Sequence, residues 1–132
     1  MTTESIECED VVPATPEQIY DAWIDGAGHA AMTGAGATSE AVVGGEFTAW
    51  DGYIRGQHVE LSRPSRIVQR WITAQFPEGA GSSRVEILLE PTDGGTRVRI
   101  LHSEIPEGQG ASYDGGWVTH YYEPMKKYFG AR

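Results

Sequence analysis

An α+β fold, with helices on one face of an antiparallel sheet, is what this sequence predicts. Three observations predict it. Strand patterns follow one another from Glu46 to His102, with turn residues between them. A helix start is written at Thr15-Pro16-Glu17-Gln18. The last stretch, from about Ser112 to Phe129, carries a broad apolar face at helical spacing.

The elements follow in order. Residues 4–12 alternate loosely and end on Val11-Val12, a first strand that Pro13 stops. Thr15 can cap the free N–H groups of a helix, Pro16 suits its first position, and Gln18 completes a capping box. Ile19 and Trp23 then share one face. Gly26 is the expected left-handed end of that helix. Residues 26–45 are rich in Gly and Ala and weakly periodic, with a second short helix around His29–Met32 and then loop. Phe47 and Ala49 alternate with Glu46, Thr48 and Trp50, and Asp51-Gly52 suits a hairpin turn. Strands over 53–62 and 66–73 flank the Arg63-Pro64-Ser65 turn. A loop opens at Phe76-Pro77-Glu78-Gly79. Val85, Ile87 and Leu89 alternate with charged neighbours, the pattern of a sheet with one wet face. Asp93-Gly94-Gly95 turns the chain, and Val98, Ile100 and His102 share the next inward face. Residues 106–110 read as loop. In the final helix, at about 100° per residue, Trp117, Tyr121, Pro124 and Tyr128 cluster in one arc. Met125, Val118, Phe129 and Tyr122 widen it. Pro124 removes one helical hydrogen bond and bends the helix.

The chain has 132 residues, the size of one domain spanning 1–132. Its 39% hydrophobic content and four Trp suffice for a packed core. The net charge of −9 repels phosphate backbones and anionic membrane surfaces, so neither nucleic acid nor membrane is an expected partner. Basic proteins and neutral small molecules remain. The lone Cys8 forms no intrachain disulfide. It sits in an acidic strand, which raises a thiol pKa and disfavours a nucleophile. The acidic N-terminus is no secretory signal, and no apolar run reaches the roughly 20 residues that span a bilayer. The expected location is cytoplasmic.

Catalytic and cofactor motifs are scarce. Gly26-Ala27-Gly28-His29-Ala30-Ala31 matches a dinucleotide fingerprint as a string, but a helix rather than a strand precedes it. The four His residues do not pair at a zinc spacing, and no nucleophile elbow occurs. No metal and no cofactor are expected.

Gly44-Gly45-Glu46-Phe47, Asp51-Gly52-Tyr53-Ile54, Gly56, Glu60-Leu61, Ile67-Val68 to Trp71, Gly95-Thr96, and Gly116-Trp117 to Phe129 carry a resemblance in their order and spacing. The chain resembles the family named for the activator of the ninety-kilodalton heat-shock-protein ATPase, within the START-like (SRPBCC), helix-grip group. The resemblance implies a curved antiparallel sheet of about six to seven strands wrapped on the C-terminal helix. One or two short helices follow the first strand. In the eukaryotic co-chaperone the matching domain is the C-terminal half, and a separate N-terminal domain carries the main chaperone contact. No counterpart of that domain is read in this sequence.

Helix-grip proteins hold apolar ligands between sheet and helix. Trp117 and Tyr121 would then line the cavity, joined by Trp23, Phe47, Trp71 and Met125. His102 reads two ways: a histidine satisfied within the core, or a polar anchor that orients a ligand. His120 is expected at the rim or surface. Three functions follow. The first is a small binding protein for a hydrophobic or aromatic molecule. The second is a co-chaperone or protein-interaction module acting on a heat-shock-protein ATPase. The third is a cyclase- or aromatase-like enzyme using His102, Tyr113 or Tyr121 for proton transfer. Monomer and homodimer are both compatible.

Overall fold

The computed structural model describes residues 2–130. It contains one seven-stranded sheet in the order β1-β7-β6-β5-β4-β3-β2, with every neighbouring pair antiparallel. The strands are β1 (Thr3–Val12), β2 (Thr38–Ser39), β3 (Glu46–Ala49), β4 (Ile54–Ser62), β5 (Arg66–Thr73), β6 (Ser83–Thr92) and β7 (Gly95–Pro106). Helices α1 (Pro16–Ile24) and α2 (Gly26–Thr33) follow β1. The chain ends in α3 (Gly110–Trp117), a π-helical turn (Val118–Tyr122) and α4 (Glu123–Gly130), which together form the long C-terminal helix. This is the α+β helix-grip architecture that the sequence predicts.

Local chemistry explains the helix entries. The Thr15 hydroxyl accepts from Gln18 N–H at 3.1 Å, and Gln18 Oε1 accepts from Thr15 N–H at 2.9 Å. That reciprocal pair is the predicted capping box. Gly26, however, does not end α1. Asp25 caps α2 by accepting from Gly28 N–H at 2.8 Å, and Gly26 is the first residue of α2. The left-handed cap is Gly34, with φ 87°.

Two further expectations need correction. Trp50 is not a strand residue, because the chain leaves β3 through a 3-10 turn in which Trp50, Asp51 and Gly52 have φ 50°, 58° and 90°. Ala49 pairs Ile54, so the connection is longer than a two-residue hairpin. β7 also runs past His102 to Pro106, through Glu104 at φ 59°. By contrast, Asp93-Gly94 is a two-residue turn between the paired Thr92 and Gly95.

The two sheet faces differ sharply. Ile67, Trp71, Val85, Ile87, Leu89, Val98 and Ile100 fill the inner face with the helices. The outer face is a ladder of opposite charges: Arg66 with Glu60 and Glu86, Arg70 with Glu104, Arg97 with Glu9 and Glu90, and Arg99 with Glu7. Most of these groups are well solvated, so each pair contributes about 1 kcal/mol or less.

The C-terminal helix buries most of the predicted arc, shifted toward Tyr122, Met125 and Phe129. Tyr113, Trp117, Tyr121, Tyr122, Met125 and Phe129 are buried, Pro124 and Tyr128 are half-buried, and Val118 is 42% exposed. The π turn accounts for the shift. Glu123 N–H donates to the Val118 carbonyl, five residues back, which adds one residue to that turn. Everything after it is rotated relative to a regular helix.

Candidate functional site: an aromatic cleft between a sheet turn and the C-terminal helix

Aromatic side chains from β5, α1 and the C-terminal helix meet at one end of the grip. β5 supplies Trp71, α1 supplies Trp23, and the C-terminal helix supplies Tyr113, Trp117 and Tyr121. Trp71 lies 5.4 Å from Trp117 and 5.2 Å from Tyr113, ring centre to ring centre. Trp23 stacks on Tyr121 at 5.0 Å.

His102 sits behind this cluster, 1% exposed. The Trp117 indole N–H reaches its Nδ1 at 3.1 Å. An indole nitrogen only donates, so Nδ1 is the acceptor and Nε2 carries the proton. Nε2 then donates to Ser83 Oγ at 2.9 Å, and the Ser83 hydroxyl donates to the Trp71 carbonyl at 2.6 Å. Burial pushes the imidazole pKa down to about 3, so it stays neutral.

A second histidine does the same work on the other side. His29 Nδ1 lies 2.9 Å from the Trp23 carbonyl, so it donates, and Nε2 accepts from the Tyr121 hydroxyl at 2.8 Å. Burial lowers the His29 pKa, and burial raises that of Tyr121. Tyr113 is equally committed. Its hydroxyl donates to Gln109 Oε1 at 2.6 Å and accepts from Thr73 Oγ1 at 2.7 Å.

In front of these groups lies an open cleft of about 340 Å³. It is lined by Trp50, Tyr53, Ile54, Trp71, Ser112, Tyr113, Gly116, Trp117, His120 and Tyr121. No Asp, Glu, Lys or Arg is among them. Trp50 and His120 meet edge to face at 4.9 Å, joining the turn after β3 to the π turn. The turn is anchored from afar. Asp51 N–H donates to the Gly36 carbonyl at 2.9 Å, and Asp51 Oδ1 accepts from Gly36 N–H at 2.9 Å. A Cβ on Gly36 would stand 2.7 Å from that carboxylate oxygen.

The profile described as "Activator of Hsp90 ATPase homolog 1-like protein" matches residues 13–130. The chain belongs to this family. It is 28% identical over 128 residues to the human activator of 90 kDa heat shock protein ATPase homolog 1, covering 97% of this chain and 38% of that protein. It is 28% identical over 130 residues to the Dictyostelium discoideum homolog, covering 97% of this chain and 33% of that one. The chain thus spans well under half of these relatives. An Hsp90 activator from Plasmodium falciparum has the same fold, with TM-score 0.83, 23% identity and 96% of each chain covered. So does the Aha1 dimer from Colwellia psychrerythraea, with TM-score 0.77, 20% identity, and 92% and 93% covered.

Within this family member, the predicted site residues divide. Trp71, Trp117 and Tyr121 line the cleft. Trp23 and His102 back them from the core, and Met125 is fully buried. Phe47 lies on β3, stacked on His58 at 5.2 Å, and edges a more open groove of mostly charged and polar residues on and beside β2 to β5. Trp50, Tyr53, Ile54, Ser112 and Gly116 line the cleft but are not among the cavity residues that sequence reasoning names. Trp50 escaped because strand parity assigned it to the wet face, and only its positive φ turns it inward. His120 is exposed at the rim, as its helical position predicts. Cys8 donates to Asp114 Oδ1 at 3.1 Å, and burial together with that carboxylate pushes the thiol up to about 12. Among the described residues no cluster of three metal-ligating side chains occurs, and no helix is long and apolar enough to cross a membrane.

Proposed function

We propose that this domain binds a small, flat, largely apolar molecule in the cleft between the Trp50 turn and the C-terminal helix. One observation carries the reading: an opening of about 340 Å³ walled by six Trp and Tyr side chains and by no Asp, Glu, Lys or Arg. That volume is in the range of small-ligand pockets, roughly 300–1,000 Å³. Stacking on aromatic faces would supply affinity, with each well-placed pair contributing about 0.5–1.5 kcal/mol beyond burial. The test is native mass spectrometry of the protein purified gently from its own host, followed by thermal shift with neutral bicyclic aromatics. A retained small molecule, or a melting point that rises with a saturating probe, is expected. A bare mass with no shift across the probe set counts against the reading.

Membership of the family favours a second reading, contact with an Hsp90-class chaperone. The relatives' names carry an ATPase-activating role, and this chain aligns with about two-fifths or less of their length. A homodimer is part of the same reading, since a structural neighbour is described as a dimer. Steady-state ATPase of a purified Hsp90-class chaperone, with and without this chain, tests it. A cytoplasmic location fits both readings.

A cyclase or aromatase reading has no specific observation in its favour. His102, Tyr113 and Tyr121 each hold their protons in bonds to other protein groups.

A further inference from the structure

We propose that Trp50 is the recognition residue of the cleft, its indole N–H taking a neutral hydrogen-bond acceptor, such as a carbonyl oxygen, on the bound molecule. This rests on the reading of the cleft as a binding site, and adds the ligand's chemical class.

Among the described residues, the buried side-chain polar atoms without a partner are Trp23 Nε1 and Trp50 Nε1. Trp23 is a core residue, stacked on Tyr121 and Trp117 and outside the cleft wall. Trp50 forms the wall. A buried N–H without an acceptor costs about 1–3 kcal/mol. Its backbone adds to the cost, because Trp50 and Asp51 in succession hold positive φ, a region that bulky residues rarely adopt. Such costs persist where surrounding structure over-determines them, and they gather at binding sites. Here the paired bonds between Asp51 and Gly36 do the holding. An acceptor on the ligand would satisfy the orphan donor once the indole turns to present it to the cleft, with Asp51 as the fixed point.

The surroundings select the kind of acceptor. The Trp117 N–H, the Tyr113 hydroxyl and the Tyr121 hydroxyl are already bonded within the protein. No Lys or Arg lines the cleft, and the net charge is −9, so a carboxylate or phosphate ligand is disfavoured. A flat neutral molecule with one carbonyl-like oxygen meets all of these constraints.

The experiment is calorimetric titration of the full chain and of Trp50→Phe with 1-indanone and with indane, which differ by the carbonyl. Phe keeps an aromatic wall and removes the donor. In the unmodified protein, 1-indanone binds about 5–10-fold tighter than indane, the factor for one net hydrogen bond. In Trp50→Phe the preference falls below about 2-fold, since the donor that supplies it is gone. Equal binding of both probes to the unmodified protein, or a preference that survives in Trp50→Phe, overturns the inference and leaves the cleft reading standing. Binding of neither probe overturns both. Should Trp50→Phe fail to fold, the indole ¹H–¹⁵N signal of Trp50 in the unmodified protein decides. It moves downfield with 1-indanone and not with indane if the bond forms, and it moves alike with both if it does not.

Discussion

The two ends of the aromatic cluster use their polar atoms differently. Around His102 both ring nitrogens, the Ser83 hydroxyl and the Trp117 N–H form one closed set. Across Trp71 and Trp117 from it, at the Trp50 turn, an indole N–H is orphaned, two non-glycine residues hold positive φ, and His120 is exposed. The first arrangement has no capacity left for a ligand, and it makes the floor rigid. The second leaves one buried donor unsatisfied beside the exposed rim. Aromatic residues that read alike in sequence therefore divide into scaffold and candidate contact.

Substitutions should separate the two ends. The largest effect is expected for Trp117→Ala, which empties a 3%-exposed site and should cost about 3–5 kcal/mol in denaturant unfolding. His102→Leu should cost about 1–3 kcal/mol, because it strands the Trp117 N–H in the core. Adding Trp117→Phe to it should cost less than the sum of the two single changes.

The same end should control acid sensitivity. The folded pKa of His102 lies at about 3, below its unfolded value, so the unfolded state binds the extra proton first. Its stability contribution is complete above the unfolded value and is lost as pH falls from there toward the folded one. The slope approaches about 1.4 kcal/mol per pH unit for one group. His29 and His58, also lowered by burial, act in the same direction. Urea melts between pH 6.5 and 5 should therefore show stability falling, and His102→Gln should flatten the curve. An unchanged slope would contradict the neutral assignment.

At the rim the effects on stability should be smaller. Gly36→Ala pushes against the Asp51 carboxylate and should cost about 1 kcal/mol, one hydrogen bond's worth, while weakening probe binding. His120→Ala should stay within about 0.5 kcal/mol in stability, as exposed changes do, and should still lower affinity. A rim variant that unfolds the protein, or a core variant that spares it, would break the contrast.

How legible each end was in the sequence follows from where its determinants lie. β1, β5, β6 and the Thr15–Gln18 cap were readable, because period-two alternation and capping chemistry are written in adjacent residues. The inward facing of His102 came from the same alternation. The Trp50 turn was not readable, since its anchor is Gly36 and no local pattern announces a positive φ at a tryptophan. His29 was read only within a loop or short helix, because its partner Tyr121 is 92 positions away. Pro124 signalled a disturbed helix, but the extra residue of the π turn, after which Pro124 and Tyr128 are only half-buried, left no separate mark.

The most direct test of the account is a ¹H–¹⁵N titration of the four indole N–H signals with 1-indanone. Trp50 should move most, Trp71 and Trp117 should respond, and Trp23, behind the cleft, should stay in place. Signals that all remain still, or a shift confined to Trp23, would contradict a ligand cleft at the Trp50 turn.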